Sequence, residues 1–128
     1  MKQKLIKALM IEPNKHPSVV ELNNDLDSLQ RAVSIGAPDQ GLIEFVYLED
    51  NVSILCNEEG KLIRLNPNRK FGNDILCGVV YVVAENDKGE LISLTQAQQD
   101  RYSQMFWEPD VIDESEIGRT VFSIFVGG

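Results

Sequence analysis

With a single histidine, His16, and only two cysteines, Cys56 and Cys77, the chain lacks the material of most metal and nucleophilic chemistry. One histidine and two separated cysteines cannot build a structural zinc site, and no carboxylate series follows the spacing of a calcium loop. A thiol nucleophile needs a base beside it and an electropositive setting. Cys56 instead ends an apolar run, and His16 sits between Lys15 and Pro17 in a turn. Glu58 and Glu59 do not make an acid/base pair, because neighbours in a strand point to opposite faces. Gly72, Gly78 and Gly89 do not compose a phosphate-cradling loop. No catalytic residue, metal or cofactor is therefore assigned, and the chain is expected not to be an enzyme.

Positive charge is also scarce. Twelve Lys and Arg stand against twenty Asp and Glu, a formal net charge of −8. That balance repels phosphate backbones and anionic lipid heads, so direct nucleic-acid and membrane binding are not expected, whereas a basic protein partner is accommodated. Imitation of DNA is one reading of the charge; a solvated acidic surface that aids solubility is the commoner one. No run approaches the roughly 18 apolar residues of a membrane span, and no cleavage pattern follows the N-terminus. A cytoplasmic location follows by elimination, with both cysteines reduced and buried. At 128 residues there is room for one domain with one core.

What is present is a series of short apolar runs separated by turn residues. Residues 5–11 read as a strand ended by two prolines, and residues 19–22 as a short return strand. Asn24 or Asp25 can cap a helix carrying Leu22, Leu26, Leu29 and Val33 on one side, with Gly36 as its stop. Residues 42–48 and 52–56 form a predicted antiparallel hairpin around Glu49, Asp50 and Asn51. Residues 61–65 are expected to run back as a short strand before Asn66 and Pro67 break it. Residues 76–84 are apolar at nearly every position and suit one central strand covered on both faces. After a return strand at 91–94, Thr95 and Gln98 form a capping box for a second helix, with Tyr102, Met105 and Phe106 on one side and Pro109 beyond its end. The loops are too short for parallel crossovers. The expected fold is α+β, a mainly antiparallel sheet with two helices packed on one face, with residues 1–106 as the domain and 107–128 as an acidic, then strand-like, extension.

Two regions are candidate surfaces. The stretch "CNEEGKLIRLNPNR" groups Lys61, Arg64 and Arg69, which can meet an anion, with Asn57, Asn66 and Asn68 as neutral donors and acceptors. Its bland reading is turn chemistry, since Glu-Glu-Gly and asparagine are ordinary punctuation. In the tail, residues 120–126 either complete the domain's own sheet or add to a neighbouring chain's edge, capturing a partner or making a homodimer through the C-terminal strand. Trp107, Phe122 and Phe125 are the contact residues in that second case.

The segments "IEFVYLED", "VSILCNEEGKL", "ILCGVVYVV" and "GELISLTQAQQDRYSQMF", in this order, make the chain similar to a family of small uncharacterised proteins. Its members are carried by phages, plasmids and conjugative elements, mainly of Gram-positive bacteria, and are catalogued as a domain of unknown function. The likeness runs from about Leu5 to Phe106 and is most specific at Asn57, Glu58, Glu59, Gly60, Lys61 and Leu62, at Pro67, Asn68 and Arg69, and at Ser93, Leu94 and Thr95. Residues 34–41 depart from it, making a longer loop with Pro38 where the family has a tight glycine pair, and the segment after Trp107 lies outside it. The resemblance implies a setting, a mobile element, and no mechanism. The functional expectation is a non-catalytic interaction or regulatory module that binds a host or element-encoded protein; the alternative is a binder of a nucleotide or other anion at the polar loop.

Overall fold

The computed structural model describes residues 3–117. Eight strands and two helices follow one another in the order β1 (Leu5–Ile11), β2 (Ser18–Asn23), α1 (Leu26–Ala32), β3 (Ile43–Glu49), β4 (Val52–Asn57), β5 (Pro67–Phe71), β6 (Asp74–Cys77), β7 (Val80–Glu85), β8 (Leu91–Ile92) and α2 (Gln96–Met105), with a final 3-10 turn at Glu114–Glu116. The main sheet has the order β2-β1-β7-β4-β3, and β8 pairs with β7 beside β1; β5 and β6 form a separate hairpin. Every pairing is antiparallel, so the α+β class stands. No helix among the described residues is long and apolar enough to cross a membrane.

The two helices lie on opposite faces of the sheet, not on one as expected. The reason is in the strands: β1, β4 and β7 are apolar at successive positions, so both faces need cover. Ile6, Ala8, Leu55, Tyr81 and Val83 face α1 through Leu29 and Val33. Leu9, Ile11, Ile54, Val80 and Val82 face α2 through Tyr102 and Phe106. Leu76 and Phe71 of the β5–β6 hairpin join that second cluster, so α2 and the hairpin share its cover.

Both caps are as the sequence indicated. Asp25 accepts from Ser28 N, and Thr95 and Gln98 exchange bonds as a capping box. Leu22, however, belongs to β2, and Leu26 and Met105 face solvent. Because β2 and β3 are opposite edges, the connection between them crosses four strand spacings, roughly 19 Å at about 4.8 Å each. A seven-residue helix rises only about 10 Å, so the long loop at 34–41 supplies the rest.

Three further expectations change between residues 58 and 84. Residues 61–65 are not a strand but a wound turn, closed by Ile63 N to Glu59 O and Leu65 N to Gly60 O, with Arg64 at φ 60°. Pro67 does not break the chain; it opens β5, a position that proline's missing N–H permits. The single strand at 76–84 is two, split at Gly78. Its φ of +83° is a left-handed conformation that glycine adopts at little cost, and it turns β6 out of the line of β7.

Candidate functional site

The polar loop singled out in the sequence resolves into an internal web and a cavity wall. Asn68 and Arg69 are each only 1% exposed. Asn68 Nδ2 donates to Ile11 O and Gly78 O, both at 2.7 Å. The Arg69 guanidinium donates to Phe106 O through Nε (3.2 Å) and Nη2 (3.0 Å), to Lys15 O (2.6 Å) and to Asn68 Oδ1 (2.9 Å). A planar fork of five donors suits this fan of carbonyls. Burial pulls the Arg69 pKa below its usual value, with nearby Asp110 acting in the opposite direction. The web thus joins the end of β1, the turn before β2, β5, the Gly78 bend and the end of α2. Trp107 belongs to the same junction: its ring stacks on His16 at 4.1 Å, and its carbonyl accepts from His16 Nδ1 at 2.6 Å.

Asn57, also buried, accepts from Glu59 N and donates to Ser34 Oγ, which fixes the turn and holds the 34–41 loop. Asn66 contributes its carbonyl to Gly78 N. Lys61 pairs with Asp74 on β6, and Arg64 pairs with Glu114 at 3.8 Å. The six candidates are therefore not gathered around one anion. Asn57, Asn68 and Arg69 hold the fold, and Lys61 and Arg64 open onto different cavities. Phe122 and Phe125 lie outside the described residues.

The Lys61 side opens a cavity of ≈ 250 Å³. Glu44 and Val46 of β3 and Cys56 and Asn57 of β4 form one wall; the turn at 58–62 and the free side of β6 form the other. Within the second wall the turn packs closely on β6 at Gly60, where a Cβ would stand 2.9 Å from Cys77 O. Cys56 Sγ lies 3.7 Å from Glu44 O and 3.8 Å from its carboxylate. Burial, with the Glu44 charge, pushes this thiol up to about 12, so it is protonated at neutral pH and a poor nucleophile. No group of three or more His, Cys, Asp or Glu among the described residues is placed to hold a metal.

The other side of β3 is more open. Glu58 N donates to Leu42 O, which sets the alternation of the β3–β4 ladder. Even-numbered residues of β3 exchange bonds with β4, and the N–H and C=O groups of Ile43, Phe45 and Tyr47 point outward along a sheet edge that no described strand covers. Phe45 and Tyr47 are 47% and 67% exposed, on the face shared with α1. A bulge at Leu48 closes the ladder irregularly at the hairpin end. Alternation in "IEFVYLE" places Ile43, Phe45 and Tyr47 on one side, but not which side is left uncovered; only the strand order makes β3 an edge.

A family model, that of a domain of unknown function (DUF3846), matches residues 6–107. No curated protein and no solved structure matches the chain. The match covers β1 from its second residue, every later strand, both helices, the Arg69 web and the free edge, and the chain belongs to this family of unknown function.

Proposed function

We propose that the chain is a non-catalytic interaction module of a mobile genetic element, working in the cytoplasm by binding a host or element-encoded protein along the free edge of β3. The observation that carries this is the row of outward backbone groups at Ile43, Phe45 and Tyr47 with two half-exposed aromatic rings beside it. An added strand gains main-chain hydrogen bonds from such an edge and side-chain contacts from alternate residues. Glu44, Glu49 and Asp50 flank it, and with a net charge of −8 they favour a basic partner segment. Anion binding at the polar loop draws less support, because the donors of Asn68 and Arg69 already serve carbonyls of the chain itself.

Proline scanning tests this reading. Phe45→Pro removes an outward N–H and leaves the ladder to β4 intact. Val19→Pro is the matched control on the opposite edge, since Asn24 N to Lys4 O sets the β1–β2 alternation and turns Val19 outward. Immobilised chain incubated with lysate of a Gram-positive host should hold one protein in stoichiometric amount, with Val19→Pro holding it equally and Phe45→Pro losing it. Retention by Phe45→Pro, or no stoichiometric partner for the unmodified chain, overturns the proposal.

A further inference from the structure

The β5–β6 hairpin is a layer with two faces. Arg69 and Leu76 are cross-strand partners on the face that meets the main sheet, so Lys70 and Ile75, also partners, stand with Cys77 on the outer face. Leu65 and Ile117 close over Ile75 and Cys77 in a small cluster separate from the two that build the main core, and Ile112 packs against it. We propose that this outer face is a docking surface for an acidic, isoleucine-bearing segment of a partner protein, and that the chain's own residues 110–117 hold the place in cis.

The first support is charge. Residues 108–117, "EPDVIDESEI", carry five acids and no base. Glu114 pairs with Arg64 at 3.8 Å and Glu116 with Lys70 at 3.5 Å, while Asp110 Oδ2 accepts from Lys70 N at 2.8 Å. On a chain of net charge −8 this face is a locally basic one, and it has drawn in an acid-rich occupant. The second is shape. A capping box between Asp113 and Glu116 closes a single 3-10 turn, and the residue that leaves it, Ile117, is 1% exposed. The turn thus presents one aliphatic side chain to the floor and two carboxylates to the flanking cations.

The third is the kind of hold. The side chains of both ion pairs are largely exposed, and such pairs are weak and screened by salt. Val111, between the Asp110 contact and Ile112, is 95% exposed, so the segment touches the domain at spaced points. The family match ends at residue 107, before the segment begins. A tethered occupant competes at an effective concentration of about millimolar, so a partner segment enters when it binds more tightly or when the strap is loosened. The surface shares no residue with the β3 edge, and its test does not depend on that reading.

The probe is a fluorescein-labelled peptide of residues 110–117, added to the full chain and read by anisotropy. Glu114→Gln/Glu116→Gln/Ile117→Ser in the chain loosens the strap and, compared at matched circular dichroism, should bind the peptide roughly tenfold more tightly than the unmodified chain does. Adding Arg64→Glu/Lys70→Glu should abolish the gain, and the peptide carrying Ile117→Ser should not bind. Equal binding by the loosened and unmodified chains, or binding that survives the charge reversal, overturns the proposal. A dimer of the unmodified chain that Ile117→Ser dissolves overturns it too, by assigning the surface to a second copy. The unmodified chain gives a second measurement that needs no variant: millimolar unlabelled peptide should speed hydrogen exchange at Glu116 N and Ile117 N, whose bonds lie within the strap, and leave β4 and β7 protected. Unchanged exchange at those two amides overturns the proposal as well.

Discussion

The Arg69 web and the β3 edge stand at two ends of one hydrogen-bonding scale. At Arg69 a charged side chain is wholly buried, and every one of its donor groups has a carbonyl or amide oxygen to meet. At β3 three residues present main-chain groups that no described strand takes up, beside half-exposed aromatic rings. Among the described residues no buried side-chain nitrogen or oxygen lacks a partner, so the interior polar groups of this fold are satisfied. Its unmet main-chain capacity lies along the sheet's edges, β3 and β2, and only at β3 do exposed aromatic rings stand beside it. The difference teaches that polar residue type is a poor guide to function here: the arginine and asparagines that look like recognition groups hold the fold together, and a plain apolar strand carries the open surface.

The comparison breaks most visibly at Arg69. Arg69→Met should lose about 3 kcal/mol or more in urea unfolding, because several buried carbonyls lose their donor at roughly 1–3 kcal/mol each. Arg69→Lys should recover little, since an ammonium cannot reach the same spread of acceptors. A loss below about 1 kcal/mol would mean that water replaces the guanidinium and that the web is not structural.

A proline pair on β3 sharpens the other side. Val46→Pro deletes an inward N–H of the ladder and should cost on the order of 3 kcal/mol. Phe45→Pro, one residue away, should stay within about 1 kcal/mol. Equal losses would show that the outward groups are already engaged in the free protein.

The smallest effect is the acid limb of stability. Hydrogen bonding from Arg101 holds Glu49 below its ordinary value. For Asp74, burial favours the neutral form, but the bonds from Lys61 and Ile75 N outweigh it and the net shift is downward. A depressed carboxylate contributes stability that is present above its unfolded pKa, about 4, and is lost as pH falls through the folded value. Both groups are too exposed for a large contribution. Asp74→Asn and Glu49→Gln should each lower the melting temperature slightly at pH 7 and converge on the unmodified chain in acid, so that the decline below about pH 4 is flatter; an unchanged acid slope would show that these pairs do not act in solution.

Much of the fold was legible in the sequence because local signals dominated it. The capping box at Thr95, the Asp25 cap and the apolar runs of β1, β3 and β4 each depend on residues a few positions apart. What was not legible depends on partners far along the chain. Residues 61–65 are apolar enough to read as a short strand, but Gly60 packed on Cys77 and Arg64 in a left-handed conformation wind them into a turn. Gly78 looked like one small residue in a long strand; its positive φ is required by the departure of β6 toward the other layer. Arg69 looked solvent-facing because the oxygens it meets belong to residues 15, 68 and 106. In the candidate site, the cavity's polar turn was foreseen, and the edge position of β3 was not, since sheet order is set by β7 entering between β4 and β1.

That order also shapes how the sheet can be made. The central strand, β7, is among the last to leave the ribosome, after two hairpins, β1–β2 and β3–β4, that can each form from neighbouring residues. Until residues 80–85 arrive, the facing borders of β1 and β4 have nothing to pair with, and nascent chains at this stage can join one another there. Insertion of β7 zips the two halves at once, so assembly is gated by long-range closure and not by helix formation. The strand that makes the core continuous is therefore also the one that closes the longest sequence separations, and a chain halted between residues 57 and 80 would hold two half-sheets with unpaired facing borders.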